Sequence, residues 1–208
     1  MKASAKERLR LRIRKARVED LPHILRLERA LVRHDQQFDP TLDPRWSSRV
    51  AGHAFFRDRI RGPDGAVWVA EEDGRLVGYL AGGRCEAEDY RRVPPMAEVD
   101  CMFVLRSRRG RGIGERLLRR FLSWCADREV GRVRVVACAG NDQAIAFYRR
   151  MGFVPYDLVL ERDLSDGGWP SLSALTAKRA PQQRRCKSDG VEQDDQSTGR
   201  PVEEHRQQ

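Results

Sequence analysis

The chain has 208 residues, 40% of them hydrophobic, with a mean hydropathy of −0.67 and a formal net charge of +9. That length permits one sizeable core with chain to spare, and no apolar run approaches the roughly 20 residues of a membrane span. The basic first residues lack a following apolar stretch, which argues against a secretory leader and for a cytoplasmic protein without membrane partners.

In chain order, residues 1–17 hold eight basic residues against one acidic. Residues 1–10 read as a basic arm, a solvated end running into the first strand at 11–16, where basic and apolar residues alternate as on a sheet edge. Residues 19–33 read as a helix, with Leu21, Ile24, Leu25, Leu27 and Leu31 near helical period. The stretch 35–46, with Pro40, Pro44 and three aspartates, reads as a loop, and His34, Asp35 and Asp39 are placed in it. A second helix is expected over 47–61, capped by Ser47 or Ser48. Residues 66–71 and 76–82 form a hairpin across Asp73-Gly74. A polar loop with Pro94-Pro95 then leads to the apolar run 99–105.

Further strands are expected at 133–139 and at 153–162, the last broken at Pro155, with a helix between them. Cys101 and Cys138 fall in predicted strands and Cys125 in a helix. With no C-x-x-C pair among the five cysteines (Cys85 and Cys186 complete the set), they read as small core residues in a reducing compartment. From Asp166 the composition turns to Gly, Ser, Gln, Asp and Arg without periodicity, so residues 165–208 read as a disordered tail. No cluster has metal-ligand spacing.

Two motifs carry chemistry. Arg109-Gly110-Arg111-Gly112-Ile113-Gly114 follows the strand ending near Val104. It precedes Leu117, Leu118, Phe121 and Leu122 at helical spacing. Glycines at a helix start turn backbone N–H groups toward an anion, and the helix dipole adds to them. No Gly-Lys-Ser/Thr follows, which excludes a Walker A loop, and the third glycine comes one residue early for a dinucleotide fingerprint. The second motif runs Asn141-Asp142-Gln143-Ala144-Ile145-Ala146-Phe147-Tyr148, ending Met151-Gly152-Phe153. Asn141 is a natural N-cap, Gly152 a natural helix stop, and Asn141, Ala144 and Tyr148 share one helix side.

Together these segments resemble the R-x-x-G-x-G and N-x-x-A-x-x-F-Y-x-x-x-G-F motifs of the GCN5-related N-acetyltransferase (GNAT) family. The resemblance covers about residues 12–163. It implies an α/β fold with a mixed central sheet flanked by helices, as a single domain over 11–164. It also implies acetyl-CoA as co-substrate, an amine as acceptor, and often a homodimer. In that frame Met102, Phe103 and Val104 would pair with the pantetheine arm. The pyrophosphate would rest on Arg109, Gly110, Arg111, Gly112, Ile113 and Gly114, and Asn141 would bind the cofactor. Tyr148 would protonate the leaving thiolate.

A thioester is already activated, so the enzyme must orient a neutral amine and remove its proton. Glu98 and Asp100, two apart on one strand face, are the candidate bases, each alternatively a partner for a neighbouring arginine. The sequence therefore predicts an N-acetyltransferase acting on a primary amine of a small molecule or protein. The alternative is a non-catalytic acyl-CoA-binding or nucleic-acid-associated module of the same fold, with nucleic acid the less expected partner.

Overall fold

The computed structural model describes residues 11–162. The expectations for the basic arm, the tail of 165–208 and Cys186 lie outside the described residues. Two compact units divide at Asp157/Leu158. Of the second unit, residues 158–162 are described, exposed and in neither helix nor strand.

The first unit is built on a five-stranded sheet in the order β1-β2-β3-β4-β5. Strand β1 (Leu11–Lys15) pairs antiparallel with β2 (Gly65–Glu72), β2 with β3 (Arg75–Cys85), and β3 with β4 (Met96–Val104). Only β5 (Arg132–Val135) runs parallel to its neighbour. The β2–β3 turn has Asp73 and Gly74 at φ 50° and 73°, the left-handed pair that matches strand twist in a two-residue hairpin.

Helices cover both faces. On one side lie α1 (Leu21–Asp35) and α2 (Val50–Arg61); Ile24, Leu25, Phe56, Val67, Val69 and Tyr79 fill that layer. On the other, α3 (Ile113–Ala126) presses Leu117, Leu118 and Phe121 onto Ala66, Leu80 and Val99. Phe121 is fully buried and stacks on Trp124 at 5.5 Å; burying such a ring contributes about 1.5–3 kcal/mol. Helix α4 (Asp142–Arg150) adds Phe147 and Tyr148 to this second layer. Among the described residues, no helix is long and apolar enough to cross a membrane.

Several sequence expectations need correction. Ser47 and Ser48 belong to a 3-10 turn, Trp46–Ser48, and α2 starts from Arg49 without a side-chain cap. Gly52 approaches that turn so closely that a Cβ would stand 2.6 Å from the Trp46 carbonyl. His34 and Asp35 form the last turn of α1 rather than the loop after it. The strand expected at 133–139 stops at Val135, and no strand forms over 153–162. Pro155 has no N–H to give a ladder, and Val154 and Tyr156 stand 79% and 66% exposed.

The early end of β5 has a physical cause in β4. Ala81 faces Cys101 and Gly82 faces Val99, so Asp100 is the extra residue of a β-bulge. A bulge bends its strand. The parallel ladder ends at Val99 with Val135, and β4 runs on to Val104 with its β5-side edge unpaired.

Candidate active site

A cleft of about 690 Å³ opens where β4 and β5 part, within the size range of small-molecule sites. Its walls are the free half of β4, the start of α3, the residues just after β5, the α4 face and the last turn of α1. Backbone N–H and C=O groups on the free edge of β4 have no strand to pair with, so an extended polar chain can take that place.

One end of the cleft is the glycine-rich loop. Gly110 and Gly112 sit at φ 76° and 73°, and Gly112 is the residue from which α3 starts. The first helical bond runs from Arg116 N to the Gly112 carbonyl at 3.1 Å. Amides ahead of it have no partner within the helix and carry the positive end of its dipole. Gly114 faces the Phe147 ring, where a Cβ would stand at 3.5 Å, an ordinary van der Waals contact.

Met102, Phe103, Val104, Arg109, Gly110, Gly112, Ile113, Gly114 and Asn141 all line the cleft, and Arg111 does not. Arg111 reaches toward Glu72 at 3.9 Å, and Arg108 binds the same carboxylate, which is 7% exposed. Arg109 folds back over the Phe103 ring and donates to the Val104 carbonyl at 3.0 Å and to His34 Nε2 at 3.2 Å. With Nε2 accepting, His34 Nδ1 donates to Asp35 at 3.0 Å. The guanidinium groups of this loop are thus tethered within the protein. Asn141 caps α4, its side chain accepting from Ala144 N at 3.0 Å.

The other end is made of side chains. The bulge turns Asp100 toward α2, where Arg59 Nε lies 2.8 Å from one carboxylate oxygen and Nη2 3.1 Å from the other. Burial pushes the Asp100 carboxyl up to about 6; Arg59 opposes the rise and Glu98 adds to it. Glu98 lies off the cleft wall, held by Arg134 at 2.9 Å. Tyr148 lines the wall with its ring against Phe147 and Phe153. Burial pushes its phenol up, aided by Cys101 and Asp35, so it stays protonated at neutral pH. Behind β4, the buried Glu28 accepts a hydrogen bond from the Tyr79 hydroxyl. Burial pushes the Glu28 carboxyl up, with the hydroxyl and the Cys101 thiol opposing.

This geometry, a parted β4–β5 pair leading from a helix N-terminus, coincides with a sequence match. The acetyltransferase (GNAT) family matches residues 29–153. The chain belongs to that family. Over 101 residues it is 36% identical to the N-alpha-acetyltransferase RimI of Mycobacterium tuberculosis; the match spans 48% of this chain and 59% of that protein. A point mutant of the Bacillus halodurans protein BH1408 superposes with a TM-score of 0.61 at 21% identity, covering 74% of this chain and 99% of that one. The aminoglycoside N-acetyltransferase AAC(6')-Iy, in complex with CoA, gives 0.60 at 17% identity, covering 77% and 98%. At such identities the two structures establish the shared fold.

As a GNAT chain it carries site elements that sequence reasoning missed: Glu72 under the loop, Arg59 on Asp100, the Glu28–Tyr79 pair, and the His34 bridge to Arg109. Arg59 and Asp100 are 41 residues apart, and Glu28 and Tyr79 are 51 apart. No local pattern announces pairs that only the packing of α1 and α2 on the sheet brings together. Among the described residues no group of His, Cys, Asp and Glu can hold a metal.

Proposed function

We propose that the protein transfers the acetyl group of acetyl-CoA to a primary amine. The observation that carries this reading is the continuity of the cleft. It runs from the left-handed glycines at the start of α3, along the free edge of β4, to Asp100 and Tyr148. Each part suits one part of the co-substrate. The amides from Gly110 to Gly114 suit a pyrophosphate, and the edge of Met102, Phe103 and Val104 suits the amide groups of pantetheine. The family membership and the CoA held by the aminoglycoside acetyltransferase of the same fold support it. The four free cysteines among the described residues fit a cytoplasmic site of action.

In this mechanism Asp100 is the general base, directly or through one water, and leaves a neutral amine to attack the acetyl carbonyl carbon. A free N–H on the β4 edge is available to the oxyanion. As the tetrahedral species collapses the C–S bond breaks, the nitrogen sheds its second proton to solvent, and the Tyr148 hydroxyl gives its proton to the departing sulfur and regains one from solvent. Asn141 stays at the α4 cap, bordering the co-substrate. Glu98, off the wall and paired with Arg134, has a structural role. The acceptor end carries Asp35 and Asp100, which favours a cationic amine. The names of the relatives offer two acceptor kinds to try, a protein α-amine and an aminoglycoside.

Calorimetric titration with acetyl-CoA and, separately, with ATP tests the reading. Micromolar binding of acetyl-CoA without comparable ATP binding, followed by thiol release with an alanyl peptide amide or an aminoglycoside, is the expected result. Absence of acetyl-CoA binding overturns it.

A further inference from the structure

We propose that Arg59, on α2, is the positioning residue for Asp100, fixing the carboxylate in the orientation and charge state in which it accepts the acceptor's proton. The inference rests on the reading of Asp100 as the base. Its own ground is the way three elements converge on one carboxylate. The bulge in β4 turns Asp100 out of the alternation of its strand and toward α2. There Arg59 meets both of its oxygens, at 2.8 and 3.1 Å, with side chains 23% and 16% exposed.

Arg59 is itself held. Its guanidinium lies over the Phe55 ring at 5.4 Å. It occupies the room left by Gly83, where a Cβ would stand 2.4 Å from Nη1. The backbone beneath it is equally tight, since a Cβ on Gly65 would lie 2.4 Å from the Arg59 carbonyl. A guanidinium held between the Phe55 ring and Gly83, with a hydrogen bond from Nη2 and a close ionic contact from Nε, aims its partner better than a lysine could.

The surroundings of Asp100 make this cation decisive. Glu98 on the same strand adds negative charge, and its own partner Arg134 on β5 is shared with Glu88. Cys85 on β3 and Cys101 on β4 feel the Asp100 charge, and burial keeps both as neutral thiols. From α1, Glu28 turns to Tyr79 and Cys101. Arg59 is therefore the cation in direct contact with a carboxylate that burial drives toward protonation.

The experiment follows the Asp100 carboxyl by carbon NMR as pH is varied, with Asp100→Asn assigning the signal, in the wild type, Arg59→Met and Arg59→Lys. Initial rates against pH are measured beside it, with acetyl-CoA and an alanyl peptide amide or an aminoglycoside. In Arg59→Met the carboxyl midpoint and the acid limb of kcat/KM should both move up by about one pH unit or more. That lowers kcat/KM about tenfold near pH 5 and about twofold near pH 7, and spares it at alkaline pH. Arg59→Lys should keep the midpoint within about half a unit and lower kcat severalfold, because charge remains and the fork is lost. Acetyl-CoA affinity should stay unchanged in both.

A midpoint that does not move in Arg59→Met overturns the inference. Should that variant fail to fold, an Arg59→Lys enzyme with wild-type kcat overturns it instead. Failure of the underlying reading looks different: Asp100→Asn would then leave the acid limb in place, whatever Arg59 does to the carboxyl.

Discussion

At the loop end, the cleft offers a ligand mostly backbone: left-handed glycines, the amides that open α3 and the unpaired edge of β4. At the opposite end it offers side chains: Asp100 from a bulge, Arg59 from α2, Asp35 from α1 and Tyr148 from α4. Backbone recognition needs only a stretch of chain in a defined conformation. Side-chain chemistry needs several elements packed to fractions of an ångström. On the proposed reading the loop end binds the co-substrate and the other end handles protons, so substitutions at the two ends should divide between affinity and turnover.

The largest effect is expected from Asp100→Asn, which should lower kcat by about 10²–10⁴-fold while leaving acetyl-CoA affinity intact. The direction of its pH dependence follows from the carboxyl raised to about 6. A base works when deprotonated, so wild-type kcat/KM should hold above that value and fall tenfold per unit below it. Steady-state rates from pH 5 to 8 check this, and a flat profile would remove Asp100 from the chemistry. Tyr148→Phe comes next, at about a hundredfold in kcat by the lower range for a lost acid. The loss should shrink with acetyl-donor thioesters whose thiols have low pKa, because such leaving groups need no proton. Equal loss for all thiols would assign the hydroxyl to packing.

These two ends were unequally legible in the sequence. Gly112 and Asn141 announce their places locally, one in a glycine-rich helix start and the other as the cap of α4; the structure starts α3 from Gly112, adding that this residue is left-handed, and caps α4 with Asn141. The hairpin at Asp73-Gly74 and the helix stop at Gly152, φ 89°, were legible for the same reason. Strand β5 was overestimated because its residues remain apolar past Val135, while its length is set by a bend in a different strand. Segment 153–162 carries a strand-like alternation that Pro155 and the lack of a ladder override. Arg59 gave no signal at all, being one of 40 basic residues until α2 packs on the sheet.

A third substitution tests the loop end. Gly112→Val forces a β-branched residue to φ 73°, where the surrounding space is open and the obstacle is the backbone itself. The loop should relax out of the left-handed region and misdirect its amides. Acetyl-CoA affinity should fall about tenfold, the equivalent of about 1.4 kcal/mol, with the carboxyl midpoint of Asp100 unmoved. Unaltered affinity by calorimetry would refute the backbone account of this end.

The smallest effect sharpens the comparison most, because two physical arguments give it opposite signs. Glu72 is a buried carboxylate under the loop, shared by Arg108 and Arg111. Removing its charge with Glu72→Gln makes the loop more positive, and Coulomb attraction alone would tighten acetyl-CoA binding. The same change frees two long side chains that then have to be ordered when the ligand binds, at about 0.5–1.5 kcal/mol each. Arg111 is 54% exposed and Arg108 31%, so solvent and salt screen much of the charge gain. Ordering should prevail: the dissociation constant for acetyl-CoA should rise about two- to threefold at physiological salt, with kcat unchanged. Tighter binding would mean that the guanidinium groups, rather than the amides they frame, are what the loop presents to the phosphates.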